Sequence, residues 1–367
     1  MSETRLERLL SLMREQRLDA VVINPGSSLT YLTGLHFHLM ERPTLLIITR
    51  DHQPTLVLPE LERGKVAAAH ISIAPVTYND DPASWPEVFA QALGSLALKH
   101  ARIGVEPTRL RFLEASFLQN AEPSITLVSA EKVFDEIRLY KDAEEINEIR
   151  RAVDIAQRSL LQVLPMVKPG RTEKEIAAEL AIQLVRNGSD PELPFYPIVA
   201  AGPNSANPHA VPSERALCQG DLLVIDWGAR SNGYCSDLTR TYAIGSLEAD
   251  LEKIHKIVQQ ANNAGRAAGA PAVAAGEVDR AARDVIQSAG FGDYFTHRTG
   301  HGFGLEDHEP PYIFKGNHQR LEAGMTYTVE PGIYIPGKGG VRIEDNMLIT
   351  HNGCETLSDL PRNLVFL

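Results

Sequence analysis

Leucines and charged residues alternate at helical spacing over residues 5–16 (RLERLLSLMREQ), which predicts an amphipathic helix. Short apolar runs at 20–23, 45–48 and 55–58 are bounded by polar or proline residues and read as strands. Helical spacing returns over 85–96, and 101–105 reads as another strand. The first third is therefore α/β in its own right, ending near 127–134.

From residue 135 the stretch DEIRLYKDAEEINEIRRAVDIAQRSLLQVLPMV is one long helical pattern, broken near Lys141 and carrying Glu to Arg pairs at supportive spacing. It marks the domain boundary, with one unit over 1–132 and a second over 133–367. In GRTEKEIAAELAIQLVRNG, Thr172 and Glu175 fit a capping box and Gly188 supplies the stop, so a helix is expected there. Proline-rich 190–214 reads as an irregular loop. A hairpin, helices near 248–268 and 277–288, and a strand-rich finish complete the chain.

A chain of 367 residues is long enough for two cores. With 36 basic and 47 acidic side chains the net charge is −11, the wrong sign for neutralising phosphates, so neither nucleic acid nor an anionic membrane is an expected partner. The N-terminus lacks a secretory apolar core, which points to a cytoplasmic protein. Cys218, Cys235 and Cys354 are odd in number and widely spaced, and buried reduced thiols are expected rather than a disulfide framework. Cys235 shares strand parity with Asp237, yet a small buried hydrophobe is its ordinary role.

The segment DWGARSNGYCSDLTRTY raises the chemical question, because each of its two strand-like runs carries an aspartate among apolar residues. A Ser231-Asn232 turn sets Asp226 opposite Asp237, and an Asn232-Gly233 turn makes them diagonal neighbours; both registers put them on one face. Their Cβ atoms are then ~5 Å or ~7 to 8 Å apart. A second hairpin, MTYTVEPGIYIPGKGGVRIEDNMLIT, repeats the arrangement with Glu330 and Glu344, which share a face if the turn has odd length. Carboxylates this close stay ionised only with positive charge between them.

Between the hairpins, HRTGHGFGLEDHEPP brings His297, His301 and His308 together on a glycine-rich backbone. Four carboxylates and an imidazole form a hard, oxygen-rich ligand set that suits manganese, cobalt, zinc or iron(II). Charge balance favours two divalent ions, a pair that acidifies water and clamps a tetrahedral intermediate.

Together DWGARSNGYCSDLTRTY, TGHGFGLEDHEPP, TVEPGIY and GVRIEDN resemble the pita-bread metallopeptidases, the family of aminopeptidase P, prolidase and methionine aminopeptidase. The resemblance spans the C-terminal part and implies an α/β N-terminal domain of creatinase type followed by an α+β pita-bread (creatinase/aminopeptidase) catalytic domain. It implies that Asp226 and Asp237 bind one metal, that Asp237 bridges to a second held by His301, Glu330 and Glu344, that Glu344 also bridges, and that Glu330 shuttles the proton. It places His209 and His308 as catalytic and substrate-contacting histidines, His297 at the substrate wall, and Arg342 and Tyr334 behind the ligands as orienting groups. Manganese leads among the metals, and a homodimer is implied by analogy alone.

The N-terminal third resembles aminopeptidase P and prolidase, since methionine aminopeptidases generally lack it. The expected reaction is hydrolysis of an amino-terminal Xaa-Pro bond in a proline-containing peptide, by an Xaa-Pro aminopeptidase or an Xaa-Pro dipeptidase. A dipeptidase needs a cation for the free carboxylate after proline, for which Arg298 is the candidate by proximity. The competing readings are a pita-bread protein kept for binding alone and a metal-independent amidinohydrolase of creatinase type.

Overall fold

The computed structural model describes residues 4–367, which form two compact units that divide between Arg138 and Leu139. The sequence expectation put the boundary between 132 and 133. Helix α5 (Glu131–Leu139) runs through that point, and the helical pattern breaks only where Asp142 begins a new capping box with Glu145.

In the N-terminal unit, strands β1 (Ala20–Ile23), β2 (Leu45–Thr49), β3 (Thr55–Pro59), β4 (Ala74–Tyr78), β5 (Arg102–Val105) and β6 (Thr126–Ser129) form one mixed sheet in the order β4-β3-β2-β1-β5-β6. The central strands β1, β2 and β3 are buried on both faces, which is why they read as continuous apolar runs. On one face Val22, Ile47, Val57 and Ile103 pack against Trp85, Phe89 and Leu93 of α3 (Trp85–Gly94). Helix α1 (Arg5–Glu15) starts at a capping box between Thr4 and Glu7, while α2 (Ser27–Thr33) and α4 (Phe112–Ala121) are short elements that the periodicity did not announce.

The C-terminal unit uses one scheme twice. Helices α6 (Ala143–Val163) and α7 (Glu173–Arg186) precede strands β7 (Ile198–Ala201), β8 (Leu222–Trp227) and β11 (Leu238–Ala243), which pair antiparallel in the order β11-β8-β7; β9 (Arg230–Ser231) and β10 (Tyr234–Cys235) form the tip of the hairpin. Helices α8 (Ala249–Ala268) and α9 (Ala275–Ser288) precede a second sheet made from β12 (Gly300–Gly302), β13 (Glu309–Ile313), β14 (Thr326–Val329), β17 (Asp345–Thr350) and β18 (Gly353–Thr356). Strands β15 (Gly332–Ile335) and β16 (Gly339–Arg342) pair as the distal ribbon of that hairpin. This is the α/β plus pita-bread architecture. The proline-rich segment is less irregular than expected, because Ile198–Ala201 finds the edge of β8 and joins the sheet.

Alternation explains where the acids sit. Leu223, Ile225 and Trp227 of β8 pack on α6 and α7, and the Trp227 indole donates to the Ala156 carbonyl at 2.8 Å. Asp226 therefore points to the other side, with Thr239 opposite it on β11. In the second sheet Tyr327, Val329, Met347 and Ile349 join the core cluster that includes Val278 of α9, leaving Thr328, Glu330, Glu344 and Asn346 on the opposite face. A bridge between Thr239 and Glu344 brings these two polar faces together.

Candidate metal centre

The first hairpin turns at Asn232-Gly233, both in the left-handed region with φ 46° and 88°. Tyr234 pairs with Ser231 and Thr239 with Asp226, so Asp237 is the diagonal neighbour of Asp226 rather than its direct partner. The second hairpin has a three-residue turn, Pro336-Gly337-Lys338, between β15 and β16. Its register carries through to Val329 opposite Asp345, which sets Glu330 opposite Glu344.

Three overlapping groups have ligand atoms within 4.8 Å of one another: Asp226, Asp237 and Glu344; His301, Glu330 and Glu344; Asp237, His301 and His308. His301 Nε2 is 3.2 Å from Glu330 Oε1 and 3.6 Å from Asp237 Oδ2. Asp226, Asp237, His301 and Glu344 are all buried. Burial and the neighbouring carboxylates Glu344, Asp226 and Glu330 push the Asp237 carboxyl well above its usual range. Glu344 is raised in the same way, by burial and then by Glu330. Burial also raises Asp226, against the opposing pull of Arg342. Burial, the largest single influence, acts upward on Glu330 too, but the hydrogen bond from His301 together with the attraction of His301, His297 and Arg342 outweighs it and brings that carboxyl to about 2.

Two buried oxygens, Asp226 Oδ1 and Glu344 Oε1, accept no hydrogen bond among the described residues. A buried carboxylate oxygen with no donor is costly, and a cation between the acids is the ligand that this donor set fits. The five residues predicted as ligands therefore converge, and their chemistry suits divalent metal.

Around them the arginine and tyrosine form a connected frame. Arg342 Nη2 donates to Asp226 Oδ2 at 2.5 Å, Nε to Thr239 Oγ1 at 3.0 Å, and Nη1 to the Tyr334 hydroxyl and the Pro208 carbonyl, each at 3.1 Å. The Tyr334 hydroxyl lies 2.8 Å from His297 Nε2, and His297 Nδ1 lies 2.7 Å from the Arg298 carbonyl. A carbonyl only accepts, so Nδ1 carries the proton and neutral Nε2 accepts from Tyr334. Both ring nitrogens of His297 are thus engaged by the protein.

His209 and His308 are exposed and line a cavity of about 530 Å³ together with Phe195, Tyr196, Arg298, Asp307 and the ligand residues. The His308 ring centroid lies 3.7 Å from that of His301; although one edge of the ring is open, desolvation of the rest, followed by His301, lowers its pKa to about 4. Cys235 is buried and Cys354 half-buried, but Cys218 is exposed, against the expectation of three buried thiols, because it follows the open loop rather than a strand. Thr239 and Asn346 were missed. Thr239 donates to Glu344 Oε2 at 2.6 Å, and Asn346 brackets the Asp237 backbone, accepting its N–H and donating to its carbonyl. Strand parity with the known acids was the available signal for both. Phe195 and Tyr196 lie in the proline-rich stretch, where no periodicity points to them.

Paired acids with an imidazole, on two hairpins backed by helix pairs, define a metal-dependent enzyme. Residues 147–351 match the model of metallopeptidase family M24, and residues 5–140 that of the creatinase/prolidase N-terminal domain. The chain is 35% identical over 365 residues to the Xaa-Pro dipeptidase of Pyrococcus furiosus, covering 98% of this chain and 99% of that one. Its structure is similar to a dipeptidase from Pyrococcus horikoshii, at TM-score 0.93 and 36% identity over 99% of this chain and 100% of the other. It is also similar to an X-Pro aminopeptidase from Thermotoga maritima, at TM-score 0.85 and 30% identity over 98% and 99%. The chain belongs to metallopeptidase family M24, and the protein is a metallopeptidase. Among the described residues no helix is long and apolar enough to cross a membrane.

Proposed function

We propose that the protein is an Xaa-Pro exopeptidase, acting as a dipeptidase, whose centre holds two divalent ions, manganese first among them. Asp226, Asp237, His301, Glu330 and Glu344 would hold the ions, with the carboxylates Asp237 and Glu344 shared between them, as the family resemblance implies. The observation that carries this reading is the pair of donor-free buried oxygens on Asp226 and Glu344 beside a cavity containing two exposed imidazoles. When bound, such ions acidify water and polarise a carbonyl.

The protein's own groups do the rest. His209 hydrogen-bonds the scissile carbonyl, Glu330 takes a proton from the attacking water, and His308 relays that proton to the departing nitrogen. That proton matters because the departing nitrogen is the proline ring's own: in the amide it bears no hydrogen, and it leaves as a secondary amine only once protonated. Arg298, on the cavity wall with its guanidinium 4.5 Å from the Tyr312 ring centroid, would meet the free carboxylate of a dipeptide. The names of the similar dipeptidases favour that choice over an aminopeptidase. A homodimer in the cytoplasm completes the proposal, in keeping with three cysteines that are free.

The deciding experiment strips the metal, reloads single ions, and compares Ala-Pro with Ala-Pro-Ala. Manganese-dependent cleavage of the dipeptide with poor cleavage of the tripeptide is expected. Efficient tripeptide cleavage would reassign the protein as an aminopeptidase, and inactivity with every ion would end the peptidase reading of this substrate class.

A further inference from the structure

The His209 imidazole makes no side-chain hydrogen bond among the described residues; only its backbone N–H is held, by Asn207 Oδ1 at 3.1 Å. Its place over the metal centre is therefore set by the loop that carries it. That loop leaves β7 at Ala201 and returns at Ser213, and both stems end on one side chain. Glu173, the first residue of α7, is fully buried. Its Oε1 accepts the Ala201 N–H at 2.7 Å, its Oε2 accepts the Ser213 N–H at 3.0 Å and the Ser213 hydroxyl at 2.6 Å, and Asn204 Nδ2 lies 3.1 and 3.2 Å from the two oxygens.

No arginine or lysine hydrogen-bonds this carboxylate among the described residues. Arg215, in the same segment, is taken bidentately by Asp221 at 2.7 and 2.8 Å. A buried carboxylate whose hydrogen bonds all come from neutral donors is costly to desolvate, and so is a poor source of stability compared with an apolar residue of similar volume. What Glu173 does supply is geometry, since two backbone amides on opposite arms of the loop reach one rigid helix terminus. The Arg342 contact to the Pro208 carbonyl is a further fastening, next to His209 itself. The capping box of α7 uses Thr172 and Glu175, so Glu173 is not needed to begin the helix.

We infer that Glu173 is a positioning residue for His209, gathering Ala201, Asn204 and Ser213 so that the loop presents the imidazole to substrate. The inference rests on the reading of His209 as a substrate-contacting group. Glu173→Gln keeps the size but turns one acceptor into a donor facing the loop's own donors.

The test is a double-mutant cycle in manganese-loaded enzyme on an Xaa-Pro dipeptide, with amide exchange as an independent readout. His209→Ala should lower kcat about 100-fold, in the range for loss of one hydrogen-bond donor to a developing oxyanion. Glu173→Gln should lower kcat about tenfold with KM within about twofold and bound manganese unchanged, speed exchange at Ala201 and Ser213, and add less than about twofold in the His209→Ala background. Equal losses in both backgrounds, unchanged kcat, or unchanged exchange at those amides would overturn the positioning role. Full turnover of His209→Ala would instead remove the reading of His209, whatever Glu173→Gln does to exchange, and the inference would fall with it. Should Glu173→Gln not fold, Ser213→Ala and Asn204→Ala carry the same cycle with the same expectations.

Discussion

Thr239 stands between Asp226 and Glu344: it is register partner to the first on β8, is bridged to the second, and donates its hydroxyl to Glu344 Oε2 at 2.6 Å while accepting from Arg342. One hydroxyl thereby orients Glu344 directly and Asp226 through Arg342, which bonds both Thr239 and Asp226. Thr239→Val keeps the shape and strand propensity but frees Glu344 to rotate. Loss of such an orienting contact typically costs about 10- to 100-fold in metal affinity. Calorimetric titration of manganese into the metal-free variant should show that loss, and Thr239→Ser should restore most of it.

Asp237 belongs to two ligand groups, and its backbone is fixed by Asn346 independently of its side chain. Asp237→Ala should thus fold yet lose activity. A ligand that binds only the native state stabilises it, by about 2.7 kcal/mol for one site at 100 times Kd. Wild-type melting temperature should rise with added manganese and fall on chelation. In Asp237→Ala the rise should be much smaller; an equal rise, or retained activity, would show that the ions lie elsewhere.

Arg342 tests whether the frame needs a guanidinium or merely a charge. Its fork reaches Asp226, Thr239, Tyr334 and Pro208 together, and an ammonium has no such planar geometry. Arg342→Lys should retain the pairing with Asp226 but release the loop before His209, lowering kcat about tenfold while manganese stoichiometry holds. Steady-state kinetics beside metal analysis separates the two effects. Loss of metal from the lysine variant would instead make the fork part of ion binding.

How much of this was legible depended on whether the pattern was local. Hairpin parity is local, so Asp226 with Asp237 fell on a shared face with either two-residue turn, and the positive φ of Asn232 then selected the diagonal register; Glu330 with Glu344 needed a turn of odd length, which the three-residue turn supplies. The contact of Thr239 with Glu344 joins strands 105 residues apart, which no window along the chain contains. Glu173 was hidden for another reason. It sits inside a helix start whose visible logic, Thr172 and Glu175, already accounts for the polar residues there. Short α2 carries too few turns for periodicity to register, α4 exposes Phe112 and buries Glu114 so that its apolar positions mark no face, and β7 became a strand only because β8 offered it an edge.

His255 gives a prediction that is independent of metal. It is buried on α8, and burial lowers its pKa from the ordinary 6.5 to about 4, against the small upward pull of a hydrogen bond with the Thr241 backbone. Above pH 6.5 the ring is neutral in both folded and unfolded chains and contributes nothing to the pH dependence. As pH falls below 6.5 the unfolded chain takes up a proton that the folded one refuses until about pH 4, so stability declines across that window. At 1.36 kcal/mol per unit the full decline is about 3 kcal/mol. Urea unfolding of the chelated protein between pH 7 and 4 should show it, and His255→Gln, which cannot titrate there, should have a correspondingly flatter profile. Carboxylate titrations are common to both proteins and cancel in the difference. Parallel profiles would mean that the ring accepts its proton without unfolding, and that α8 admits water at His255.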